Sequence, residues 1–277
     1  PTSWRGTAAD YEMDPDVVYS SVYEDQLLAA MQSLPSMSIV MNTEDMFGDS
    51  GIYSNSGSQG VAWERPTSLE WINEDGSTGF QVNAGIRIYG GAFRGMNLTR
   101  KKSFRVFFKD EYGPTKLNFD MFQTEGASTS FDSLILRGGS NDGWNNWGKA
   151  NTQYIVDEYM RRTQLALGEP GSHGTFVHLY INGLYWGLYN PVERPDASFS
   201  AEYFGGEKEN WDSIHDGAAT GDSNTATWNA MLQQVRAGMS STAAYEKLQG
   251  NNPDGTNNSA YDDMLDVDNF ITYMFSN

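Results

Sequence analysis

Cysteine is absent from all 277 residues. That removes thiol catalysis, cysteine-ligated zinc or iron–sulfur centres and disulfide staples. Positive charge is scarce: 18 lysines and arginines stand against 36 aspartates and glutamates, a formal net charge of −18. Grip on a nucleic-acid backbone needs clustered cations, so nucleic acid is not an expected partner. No window approaches the roughly 20 apolar residues of a membrane-spanning helix, and no span is expected. The motifs HExxH, GxSxG and GxxxxGK[ST] are all missing, which leaves no sequence case for a metalloprotease, a nucleophile elbow or a P-loop. The chain opens on Pro1-Thr2-Ser3-Trp4 and closes on an apolar, helix-like stretch ending Phe275-Ser276-Asn277 with no stop signal, so it reads as a piece of a longer protein.

What is present suffices for a core. Hydrophobic residues make up 39% and aromatics 13% of the chain, which excludes wholesale disorder. The length fits one large domain or two ordinary ones. A helix is expected from Asp25 to Leu34, ended by Pro35, then short strands at Met37–Met41 and Gly51–Tyr53. Residues 67–109 read as a meander: Thr67–Ile72, an Asp75-Gly76 turn, Phe80–Tyr89, a glycine-rich interruption and Lys102–Phe108. Phe104, Val106 and Phe108 share one face, while Phe107 on the other suggests a strand lying between two layers. Phe131–Arg137 gives another strand, followed by a Trp/Asn/Gly loop over 138–147. A helix from about Asn151 to Leu167 is capped by Asn151 or Thr152, with an apolar stripe of Ile155, Val156, Tyr159, Met160, Thr163 and Leu167. The clearest local signal is the hairpin Thr175–Tyr189 around Asn182-Gly183, since Asn-Gly supplies the positive φ angles of a tight turn. Beyond it the pattern turns helical, at 197–204, 224–235, 242–248 and 265 onward. Strands first and helices second argue α+β, with the change near Glu193.

Three chemistries merit weighing. His173 and His178 lie around a strand start with no zinc spacing, so turn and strand roles are the better reading. Asp212, Asp216, Asp222 and Asp254 sit in Gly/Asn-rich loops that could hold Ca²⁺, although solvated loops fit them better. More suggestive is Gly90-Gly91-Ala92-Phe93-Arg94-Gly95 followed by Lys101-Lys102-Ser103-Phe104. A glycine-rich turn frees backbone N–H groups to approach an anion, and a lysine on the next strand can reach the same phosphates. Kinases hold such a lysine with a helix glutamate, and the helix after residue 151 offers Asp157 and Glu158. The plainer alternative is a bulged meander with a basic, solvated edge.

Three stretches together resemble the CotH kinase family, atypical kinases related to the spore-coat protein H of bacilli. They are Ile86–Gly91 with Arg100–Phe108, the helix Tyr154–Gly168, and the hairpin segment Val177–Asp196; the final helix Leu265–Tyr273 is similar as well. The resemblance spans most of residues 40–277 and implies a protein-kinase-like two-lobe architecture. Residues 1–36 would form a helical extension, 37–192 a β-rich nucleotide-binding lobe with one main helix, and 193–277 the start of an α-rich lobe. It further implies that Lys102, or less readily Lys101, contacts phosphates beside Gly90, Gly91 and Arg94. Glu158, or Asp157, would pair with that lysine, and Glu193 to Asp196 would be the hinge at the adenine. The implied reaction is transfer of the γ-phosphoryl group of ATP, with Mg²⁺ or Mn²⁺, to a Ser or Thr of a protein substrate. The family's Asp/Asn loop and Trp-Asp-x-Asp metal segment normally follow the last helix seen here, so the fragment is expected to lack part of the catalytic apparatus. Export to a bacterial surface or the extracellular space is also expected. The competing reading is a non-catalytic surface or carbohydrate-binding module on the same fold.

Overall fold

The computed structural model describes residues 3–4, 7–8, 11–143, 152–221 and 223–276. The second half of the Trp/Asn/Gly loop, the cap residue Asn151 and Asp222 lie outside them. The chain divides into two units, one of residues 1–158 with 173–194 and one of 159–172 with 195–277.

The first unit is built on a closed barrel of seven strands. In chain order these are β1 (Ser36–Val40), β2 (Arg65–Ile72), β3 (Thr78–Tyr89), β4 (Ser103–Phe107), β5 (Ser133–Arg137), β6 (Val177–Ile181) and β7 (Leu184–Glu193). Around the barrel the order is β6-β7-β5-β4-β3-β2-β1, and every neighbouring pair is antiparallel except β1 with β6, whose parallel pairing closes the ring. Closure removes both exposed edges of what would otherwise be an open meander.

Period-two alternation fills the interior. Met37, Ile39, Leu69, Ala84, Ile86, Phe104, Val106, Leu134, Leu136, Val177, Leu179, Ile181 and Tyr189 point inward and are buried. The Asn182-Gly183 turn takes φ of 50° and 80°, as its sequence requires, and sets the β6–β7 register. Asn182 also ties the turn to the end of the neighbouring β1: its Oδ1 accepts from Met41 N at 2.9 Å and its Nδ2 donates to Met41 O at 3.0 Å.

Several expectations change in detail. Residues 51–53 are not a strand. They form a turn after an unanticipated helix, Thr43–Phe47, whose cap Asn42 accepts from Glu44 N. Ile52 is buried there because Ile52 N and Tyr53 N bond to Asp45 O and Met46 O, both at 2.8 Å. Phe107 is covered on the outer side of β4, as a strand between two layers demands, but by cationic side chains. The helix read as 151–167 runs Val156–Ala166, and its apolar stripe is not its buried face: Ile155, Val156, Tyr159 and Leu167 are exposed while Glu158 is buried. Its first turn is held by polar contacts, described below.

The second unit contains helices Ala197–Phe204, Ala226–Ala237, Thr242–Leu248 and Val267–Ser276 and a short ladder pairing Ile214–His215 with Ala218–Ala219. Asp196 caps the first, accepting from Ser198 N and Phe199 N at 3.2 and 3.4 Å. Ser241 caps the third through Ala244 N at 3.2 Å.

A β-carbon at Gly183 would meet nothing within 4 Å, so Gly183→Ala tests backbone conformation alone. It is expected to lower stability by about 1–2 kcal/mol, against about 2–5 kcal/mol for Leu136→Ala in the barrel interior. Urea unfolding midpoints at constant slope check both.

Candidate phosphate-handling face of the barrel

Adjacent lysines on an extended chain point to opposite sides, and Lys101 and Lys102 do so at the approach to β4. Lys102 turns inward beneath the glycine-rich turn and is 1% exposed. Its Nζ donates to Phe93 O at 3.1 Å, Gly95 O at 2.9 Å and Thr99 O at 2.5 Å. Burial draws its pKa down to about 8, which leaves it mainly protonated at neutral pH. All three donors of the ammonium are engaged by backbone carbonyls, so Lys102 ties the 93–99 segment into a closed loop, and in this arrangement no donor remains for a phosphate.

The turn itself is pinned. Gly90 holds φ of 121°, and a β-carbon at Gly90 or Gly91 would meet nothing within 4 Å. Arg94 turns back: its Nε donates to Gly90 O and its Nη1 to Ser58 O at 2.9 Å, while Ser56 Oγ donates to Arg94 O. Burial, and then the like charge of Arg87, lower the pKa of Arg94.

Beneath the turn, the outer face of β3, β4 and β5 carries Arg87, Arg105 and Arg137. Arg87 and Arg105 are direct cross-strand partners, an arrangement in which like charges repel. Both guanidinium groups lie over the ring of Phe107, at 4.2 and 4.6 Å, and Lys109 approaches the same ring at 4.9 Å. Glu64 serves this cluster, accepting from Arg87 Nε at 2.6 Å and from Lys109 Nζ at 2.6 Å. Burial pushes the Glu64 pKa upward, but the hydrogen bonds and charges of Lys109 and Arg87 prevail and hold it below the ordinary value. Arg105 bonds Ser133 Oγ through Nη2 at 2.8 Å.

Arg137, at the end of β5, forms an ion pair with Asp157 in the first turn of the helix Val156–Ala166. Next to it Asn190 of β7, the register partner of Arg137, donates to Glu158 Oε2 at 3.1 Å and to Thr175 O at 2.7 Å. Glu158 is thus buried on the barrel wall, and among the described residues neither Lys101 nor Lys102 makes an ion pair with it or with Asp157. Sequence reasoning missed Arg87, Arg105, Arg137 and Asn190. Their signal was readable in part: Ile86-Arg87-Ile88, Phe104-Arg105-Val106 and Leu136-Arg137-Gly138 each set an arginine at an outward position of an apolar strand.

Glu193 is the last residue of β7 and is buried. Its Oε2 accepts from His173 N at 2.8 Å and lies 2.9 Å from His173 Nδ1. Arg194 follows, donating from Nη1 to Tyr89 OH at 3.0 Å. Asp196 belongs to the second unit as the helix cap described above. His178 is a strand residue whose ring nitrogens lie 3.1 Å from Tyr185 OH and 3.1 Å from Ala30 O. Among the described residues no three His, Asp or Glu side chains group to hold a metal ion. Asp212 is engaged with Asn224, Asp254 with Thr256, and Asp216 with His215.

A strand cation paired with a helix carboxylate beside a glycine-rich turn is the pattern with which kinases organise a triphosphate. Residues 86–277 match the family model described as CotH kinase protein, and the chain belongs to the CotH kinase family. That family implies kinase chemistry in general, using ATP and a divalent metal. No curated protein matches the chain.

Free lysine keeps its proton until about pH 10.4, whereas Lys101 and Lys102 lose theirs at about 7 and 8 in the folded chain because burial penalises their charge. The unfolded state therefore binds more protons across that window, and stability is expected to rise from pH 7 toward pH 10. Urea midpoints across this range should show the rise, and Lys101→Met should flatten its lower part.

Proposed function

We propose that this chain binds ATP on the outer face of β3, β4 and β5 and serves transfer of its γ-phosphoryl group to Ser or Thr hydroxyls of a protein substrate. The carrying observation is the direct opposition of Arg87 and Arg105 below the glycine-rich turn. Two guanidinium groups side by side on one strand face offer planar forks of donors whose geometry suits the oxygens of a triphosphate. In this reading Arg87 and Arg105 engage phosphate oxygens, and Arg137, held by Asp157, takes the strand-cation role that the resemblance assigned to Lys102. Lys102 shapes the turn from within. Glu158, locked by Asn190, seats the first turn of the helix Val156–Ala166 beside β7. The barrel unit then corresponds to the nucleotide-binding lobe of a kinase-like architecture and the helical unit to the other. The described residues do not supply a metal-binding group, so no step is assigned to Mg²⁺ or Mn²⁺ held by them. An exported protein at a bacterial surface fits the acidity and the lack of cysteine.

Mg·ATP at a hundredfold excess over its dissociation constant should raise the melting temperature by about 5 °C or more. Arg105→Met and Arg137→Met should each abolish most of that rise, and Lys102→Met should lower the melting temperature of the free protein. A thermal-shift titration checks this, with ADP release in the presence of Ser/Thr protein acceptors as the second readout. Absence of both a shift and ADP release would sink the reading; a shift without transfer leaves a nucleotide-binding module.

A further inference from the structure

Lys101, the partner of Lys102 across the chain, occupies a built enclosure outside the arginine face. Its Nζ donates to Leu188 O of β7 at 2.5 Å and to the hydroxyl of Tyr154, two residues ahead of the helix that carries Asp157 and Glu158. The ammonium lies over the rings of Tyr154 and Tyr189, at 4.5 and 4.8 Å. Tyr154 OH donates onward to Gly138 O at 3.1 Å, so one chain of donors joins the approach to β4, the segment before the helix and the end of β5. Two glycines make room. Gly187, at φ of 108°, would bring a β-carbon to 3.4 Å from Nζ, and Gly139, at φ of 96°, would bring one to 3.0 Å from the Tyr154 ring.

We propose that Lys101 is a positioning residue, a clasp that acts through Tyr154 to set where the helix Val156–Ala166 begins and so where Asp157 stands against Arg137. The consequence for nucleotide binding rests on the proposed function; the clasp itself does not.

The clasp depends on charge. Protonated Lys101 donates to both oxygens, which frees the Tyr154 hydrogen for Gly138 O, and it is attracted to both ring faces. Neutral Lys101 keeps two N–H groups for the same oxygens, but the bonds lose their charge assistance and the cation–π attraction is lost. The titratable groups facing it are Tyr154 and Tyr189, with Tyr185 acting on Tyr154 and Tyr53 on Tyr189. Burial, with Tyr185 second, pushes Tyr154 to about 12, and Tyr189 is raised by burial with smaller contributions from Tyr154 and Tyr53, so both phenols stay neutral throughout the working range. Lys102 points away into its carbonyl cage. Among the described residues no carboxylate pairs with Lys101, and burial alone lowers its pKa to about 7.

The test uses the full chain, with Lys101→Met, Lys101→Arg and Tyr154→Phe. Hydrogen exchange is expected to accelerate at residues 154–158 in Lys101→Met and Tyr154→Phe, with the strands β3–β7 protected as before. Mg·ATP affinity should fall about fivefold in those two variants, the worth of one hydrogen bond. In the wild type it should decline as pH rises through 7 relative to Lys101→Arg, whose side chain keeps its charge; the titration of ATP itself is common to both. Exchange at 154–158 unchanged from wild type in both variants, with intact strands, overturns the clasp, as does a wild-type pH profile retained by Lys101→Met. If wild-type protein binds no ATP, the proposed function falls, and the exchange experiment still decides the clasp.

Discussion

The arrangement of the first unit depends on a buried ammonium. Lys102 donates to three carbonyls of the segment that joins β3 to β4 and so binds its two ends together. With that segment closed, β4 begins at Ser103 in a single register against β3 and β5. Period two then dictates the rest: Phe104 and Val106 go to the interior, Arg105 to the outside, and Lys101 away from Lys102. Two adjacent residues of the same type thereby acquire unrelated roles, one inside the turn and one beside the tyrosines.

Electrostatics gives the outer wall its character. The protein as a whole is strongly acidic, yet Arg87, Arg94, Arg105, Arg137 and Lys109 sit on or beside three neighbouring strands. Long cationic stems cover Phe107 while their charged heads stay near the surface. Glu64 offsets part of this charge at one end, and Asp157 does so at the other. Between them lies the facing pair, Arg87 bonded to Glu64 and Arg105 bonded to Ser133. An anion with several oxygens in fixed geometry suits planar guanidinium groups better than it suits point-charge lysines, which fits a wall built from arginine.

Local patterns carried much of the fold. The hairpin at Asn182-Gly183, the meander around Asp75-Gly76, and the helices at 197–204 and 242–248 were legible because turn chemistry, caps and alternation are properties of a few consecutive residues. The helix at 43–47 was not, since it is short and held by a single Asn42 cap. The apolar stripe assigned to the helix after residue 151 misled for a different reason. Its first turn is seated by Asp157 on Arg137 and by Glu158 under Asn190, contacts from strands that no window of sequence contains.

Composition and spacing alone established a cysteine-free, acidic α+β chain with strands before helices and a basic glycine-turn segment, because each is written in short-range pattern; the kinase family was a resemblance of motifs that the family model then bore out. Closure of seven strands into a barrel, and the choice of which cation meets which carboxylate, were decided by long-range register. Pairing β1 with β6 joins residues some 140 positions apart, and Arg137 meets Asp157 only once β5 has entered the wall. A lysine's sequence neighbours place it at the mouth of a strand; only the assembled barrel tells it to face carbonyls or tyrosines.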